Sequence, residues 1–126
     1  MTYVDLHAFW QDVVTQNRER LASYFCGDAV IRWPCTNEQF TLAEYLRANC
    51  DYPGSWSGEI ERVERLADGV VLIGRVFSKD EAASFHVVSF IRLVNDRIGA
   101  MDEYWAEDGE APEWRRSMDI GKRIRP

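Results

Sequence analysis

Long apolar runs are missing from this sequence: nowhere do about 18 apolar residues follow one another, so no membrane-spanning helix is expected. Positive charge is in short supply. Fifteen Lys and Arg stand against 21 Asp and Glu, for a net charge of -6, which argues against a general nucleic-acid surface. Cysteine is limited to Cys26, Cys35 and Cys50. No CxxC or CxxH spacing links them, so no metal site is expected. Their odd number reads as reduced thiols in a cytoplasmic protein. A basic-then-apolar leader pattern is lacking at the N-terminus, so no secretory signal is expected. Internal repeats, low-complexity tracts, phosphate loops and nucleophile elbows are also lacking. Nothing in the residues calls for a cofactor.

What is present fits one domain over 1–126, with a core over about 5–106 and an extension over 107–126. The 46% hydrophobic content excludes a disordered chain. Leu6, Phe9, Trp10, Val13, Asn17, Leu21, Tyr24 and Phe25 recur at helical steps and predict one helix over 1–25. Thr2 and Asp5 offer its capping box, Gln11, Asp12, Arg18 and Glu19 its opposite face, and Gly27 a left-handed stop. A short strand over 29–35 should end at Pro34, which cannot donate to a ladder. Thr41 and Glu44 form a second capping box, followed by the buried stripe Leu42, Tyr45 and Leu46 and a stop at Tyr52-Pro-Gly54.

An alternating segment over 56–66 and two segments apolar on both faces over 70–78 and 84–94 then read as strands, the first two joined at Asp68-Gly69. Asn95-Asp96 turns the chain into a last strand, Arg97-Ile-Gly-Ala-Met-Asp-Glu-Tyr-Trp105. Residues 112–118 read as a short helical turn docked by Trp114.

The element order, with Asp28-Ala-Val-Ile-Arg-Trp-Pro34 after the first helix and Arg97-Ile-Gly-Ala-Met-Asp-Glu-Tyr-Trp105 at the end, resembles the nuclear-transport-factor-2-like superfamily. Within it the sequence resembles the SnoaL-like polyketide cyclases and ketosteroid isomerases, over roughly residues 5 to 106. The resemblance implies a cystatin-like α+β fold: a cone-shaped, curved antiparallel sheet wrapped around N-terminal helices as a SnoaL-like barrel. It also implies a pocket on the concave face, and a homodimer formed through the outer face.

The same resemblance supplies site residues. The isomerases' carboxylate base falls at Trp33, their oxyanion-hole acid near Ser89 and their oxyanion-hole tyrosine at Phe9. All three positions have changed type, so that isomerase mechanism is not expected here. Met101, Glu103 and Trp105 match the pocket-facing positions of the last strand; Val71, Ile73, Arg75 and Phe77 match those of the strand before Asp80.

Glu103 and Arg75 thus become the candidate catalytic groups. Burial would raise the carboxyl's pKa and a close guanidinium would lower it, so the pair reads either as an acid or base with its orienting cation or as a structural ion pair. His86 is a weaker candidate, since strand parity turns it outward with Val88 and Phe90. Asp102 alternates away from Glu103. The expected lining is Phe9, Val13, Trp33, Cys35, Tyr45, Ile73, Phe77, Ser89, Met101 and Trp105.

The function these features imply is a small-molecule-binding domain with a hydrophobic pocket, acting as an enzyme by proton transfer on a hydrophobic ring-containing substrate. The alternative is a non-catalytic protein-interaction or ligand-sensing homodimer. The expected partner is a small hydrophobic ligand, with no nucleic acid and no membrane.

Overall fold

A computed structural model describes residues 5–126; the Thr2 half of the expected capping box lies outside them. Helix α1 (Leu6–Val14) opens on Asp5, whose carboxylate accepts from the Ala8 amide. The single helix expected over 1–25 is in fact two. Gln16 adopts φ 59°, which ends the first helix, and Asn17 caps α2 (Arg18–Ala22) by accepting from the Arg20 amide. Asn17 is therefore a cap and not part of the apolar stripe. Phe25 and Gly27 both lie in strand β1 (Phe25–Trp33), so Gly27 is not a helix stop. Pro34 ends β1 as expected and starts a 3-10 turn over Pro34–Thr36.

The next strand, β2 (Glu38–Thr41), is four residues long and was not foreseen. It runs directly into α3 (Leu42–Cys50), where Thr41 and Glu44 make the capping box that their spacing implies. Strands β3 (Trp56–Leu66), β4 (Gly69–Ser78), β5 (Ser84–Val94) and β6 (Arg97–Glu107) follow as a meander, with turns at Asp68 and at Asn95-Asp96. A one-turn helix, α4 (Glu113–Arg116), lies in the tail. Trp114 does not dock it: that indole is 65% exposed, with the Arg115 guanidinium over its ring.

The sheet order is β2-β1-β6-β5-β4-β3. This overturns the expected cone-shaped antiparallel barrel. The sheet is open, neither closed nor strongly curled, with β2 and β3 at its two edges. It is also mixed, because β1 runs parallel to β6. Closure would require a hydrogen-bonded seam between the edge strands. Among the described residues β2 pairs with β1 alone and β3 with β4 alone, so no such seam forms.

One sheet face carries the helices. Phe9, Trp10, Val13 and Val14 of α1, Leu21 of α2 and Tyr45 of α3 pack on Ile31, Leu72, Val87, Ile98 and Met101. Each large apolar side chain so buried contributes about 1.5–3 kcal/mol. Two glycines let α1 approach. A Cβ at Gly74 would lie 2.4 Å from the Trp10 ring, and one at Gly58 would lie 2.7 Å from Val14.

Asp12, expected on the solvent face, is 6% exposed. Its carboxylate accepts a 2.7 Å hydrogen bond from the Tyr24 hydroxyl, and Arg20 lies 3.7 Å away. Burial, together with that carboxylate, pushes the Tyr24 phenol up to about 12.

Candidate functional site

The helix-covered face of the sheet carries a cavity at one end. Its floor comes from strand ends that the sheet order brings side by side: Trp33 of β1, Trp105 of β6, Phe85 of β5, Val76 of β4 and Trp56 of β3. Its roof is the C-terminal end of α1, at Val13 and Val14, and of α3, at Ala48 and Asn49. Gln16, Cys35, Thr36 and Tyr52 complete the lining. The volume is about 370 Å³, within the range of small-molecule sites.

Two side-chain amides hold the roof together. Gln16, turned inward by its left-handed backbone, donates to the carbonyls of Asn49 (3.0 Å) and Tyr52 (2.7 Å). Asn49 donates in turn to the Val13 carbonyl at 3.1 Å. The ends of both helices are thereby fixed over the sheet.

Glu103 projects into this apolar space and is 2% exposed. Alternation along β6 sets its direction, with Met101 and Glu103 buried and Asp102 on the other face, bonded to Arg32. Pairing sets its partners. Ser89 is its cross-strand neighbour and donates a hydroxyl hydrogen bond to Oε2 at 2.6 Å. Trp33 follows Arg32, which pairs with Asp102, and its indole N–H reaches Oε1 at 3.1 Å. The Trp105 N–H is near enough to help lower the acid's pKa, but it is buried outside hydrogen-bonding geometry. Desolvation outweighs these donors, and the Glu103 pKa stands above its ordinary value.

Arg75 is not with Glu103. In β4 the buried residues are Val70, Leu72 and Val76, and Gly74 lies under Trp10. Val71, Ile73, Arg75 and Phe77 therefore occupy the opposite face, and the expected parity of this strand is inverted. Neither the ion pair nor the orienting role foreseen for Arg75 with Glu103 exists in this arrangement. The guanidinium lies over the Phe77 ring at 4.7 Å and 3.9 Å from both Glu59 and Asp108.

His86 shares that outer face, as parity predicts. Its ring nitrogens meet Asp108 and, at 3.2 Å, Glu61. The Asp108 hydrogen bond is the main force raising its pKa, against the opposing effect of burial, and Glu61 adds to it.

Of the expected lining, Val13, Trp33, Cys35 and Trp105 surround the cavity together with Glu103. Phe9, Tyr45, Ser89 and Met101 are core residues behind it; Phe9 meets Tyr24 edge-on at 5.3 Å. Ile73 and Phe77 are on the far side of the sheet. Sequence reasoning missed Tyr52, Trp56 and Phe85, three rings in series with centroids 5.6 and 5.8 Å apart. A signal was available for Phe85: it shares the alternation of the buried residues Val87 and Ser89.

No family model and no curated protein matches the sequence. Solved structures do match its fold. A candidate ketosteroid isomerase from Kribbella flavida DSM 17836 superposes with a TM-score of 0.76 at 22% identity, over 96% of this chain and 87% of that one. A protein with a ketosteroid isomerase-like fold from Catenulispora acidiphila DSM 44928, in complex with trimethylamine, gives 0.65 at 14% identity, over 82% and 86%. An LEH-like epoxide hydrolase from M. tuberculosis gives 0.64 at 12%, over 80% and 79%. By its fold, then, the chain matches solved structures described as ketosteroid isomerase-like, NTF2-like and SnoaL-like proteins.

Proposed function

We propose that this chain binds a small, largely apolar, ring-containing molecule in the cavity beneath α1 and α3 and exchanges a proton with it through Glu103. The observation that carries the reading is a space of about 370 Å³, walled mainly by aromatic and aliphatic side chains, with a buried carboxyl in its lining. Apolar walls with a few placed polar groups are the usual constitution of a ligand site. A carboxyl whose pKa is raised by desolvation holds its proton to higher pH than an ordinary one and is better placed to act as an acid. The same space weighs against a non-catalytic module with a filled interior, because Trp33 and Trp105 do not close it. Proteins of this fold include an epoxide hydrolase and a chain in complex with trimethylamine, both consistent with small organic molecules as ligands.

The test uses tert-butylbenzene as a neutral probe, read by quenching of tryptophan fluorescence. Trp33, Trp56 and Trp105 all line the cavity, so binding should be saturable. Val76→Phe, which fills the space while keeping an apolar side chain, should abolish it. Carboxyl-carbon NMR of Glu103 should show a midpoint above the ordinary 4.5 that moves when the ligand binds. Absence of saturable quenching in the wild type would overturn the reading.

A further inference from the structure

Glu103 has an unusual set of neighbours for a buried acid. Ser89 and Trp33 donate to its two oxygens, and the Trp105 N–H stands beside them. All three groups present hydrogens, which suits a carboxylate. An ionised carboxyl has about four acceptor positions, and two are in use, so lone-pair capacity remains on the cavity side.

What the acid lacks is a counter-charge. The cavity lining contains no Lys, Arg or His among the described residues. Arg75 points away on the other sheet face, towards Glu59 and Asp108. A buried carboxylate without a cation is costly, and this one sits at the wall of a space open to a guest.

The remaining walls are suited to one kind of guest. Five lining side chains are aromatic: Trp33, Tyr52, Trp56, Phe85 and Trp105. The negative faces of aromatic rings attract cations, Trp most strongly, and several rings around one space form the recognised box for methylated ammonium groups. An inorganic cation that shed its water would find few oxygen ligands here, since the polar lining beyond Glu103 is limited to Gln16, Cys35, Thr36 and Asn49, apart from the Tyr52 hydroxyl. An anion would meet a like charge.

We infer that the ligand of this pocket is an organic cation, a tertiary ammonium carrying an apolar ring, whose ammonium group pairs with Glu103 inside the aromatic walls. The inference rests on the pocket reading above and names its ligand class. A tertiary ammonium can donate its N–H to the free lone pair of Glu103. A quaternary probe keeps the charge and the ring contact and lacks only that N–H.

The experiment compares three probes of similar size by tryptophan quenching and calorimetry: phenyltrimethylammonium, its neutral isostere tert-butylbenzene, and benzoate. The wild type should bind phenyltrimethylammonium at least as tightly as tert-butylbenzene and should not bind benzoate. Glu103→Gln should weaken phenyltrimethylammonium at least tenfold while changing tert-butylbenzene less than twofold. Trp56→Leu, which keeps the acid and removes one ring of the lining, should weaken the cation several-fold more than its isostere. It keeps the test open should Glu103→Gln fail to fold. If tert-butylbenzene binds and phenyltrimethylammonium does not, or if both variants treat the two probes alike, the cation assignment is overturned and the pocket reading survives. If no probe binds, both fall together.

Discussion

Replacing Glu103 by Gln should make the protein's stability less sensitive to pH, in a direction the site geometry fixes. The wild-type carboxyl is 2% exposed, and its desolvation exceeds the help of its donors, so its folded-state pKa lies above the ordinary value. Between the unfolded pKa and this raised value, the folded state binds the proton and the unfolded state does not. Stability then falls as pH rises, by up to about 1.4 kcal/mol per pH unit, and levels off above the folded pKa. Below the unfolded pKa the penalty vanishes. Gln titrates nowhere in this range. Its Oε1 can keep the Trp33 hydrogen bond, and its amide can donate to Ser89 Oγ once that hydroxyl rotates, so the cavity wall loses no partner. Urea denaturation of both proteins from pH 4 to 8, followed by tryptophan fluorescence, gives the difference directly. Contributions from His86 and the surface carboxylates are common to both and cancel. The variant's stability relative to wild type should climb with pH from about 4.3 and then plateau. A flat difference, or one that shrinks as pH rises, would refute the claim that burial dominates this acid.

Three other outcomes follow from the fold. Gly74→Ala places a methyl 2.4 Å from the Trp10 ring and should cost about 1–3 kcal/mol in urea denaturation; an unchanged midpoint would mean α1 does not press on β4. Thr41→Ala removes one half of the α3 capping box and should cost about 1 kcal/mol, measurable by thermal unfolding. His86 should titrate above 6.5 by imidazole NMR, because Asp108 and Glu61 both favour its charged form. The stability from that pairing is fully present below 6.5 and is lost as pH rises through the folded value. Asp108→Asn should bring the midpoint down, and a wild-type midpoint at or below 6.5 would contradict the arrangement.

Most of the sheet was legible because turns and alternation agree: Asp68-Gly69 and Asn95-Asp96 bracket strands whose lengths match. The outward turn of His86 follows from simple period-two counting, while the inward turn of Glu103 was implied by the resemblance of the last strand. β4 defeated the same counting. Val70, Val71, Leu72 and Ile73 are apolar on both faces, so no alternation marks the covered side. The informative residue was Gly74, whose missing side chain marks where a helix presses close. The break at Gln16 was hidden because α1 and α2 both continue an apolar stripe across it. β2 was too short to show a period, and the parallel join of β1 to β6 depends on a contact about 70 residues apart. The acid of the site was implied by the resemblance; its solitude was not, since that depended on which way Arg75 pointed.

The hydroxyl–carboxyl link between Ser89 and Glu103 also bears on how the meander finds its alignment. Sliding β5 by one residue along β6 would set Val88 or Phe90 opposite the acid, and neither can offer a proton. The misaligned hairpin would then leave the buried carboxyl without the hydroxyl donor that it has in the correct one. The carboxyl buried in the cavity wall thus also helps to set the register of the strands that hold it.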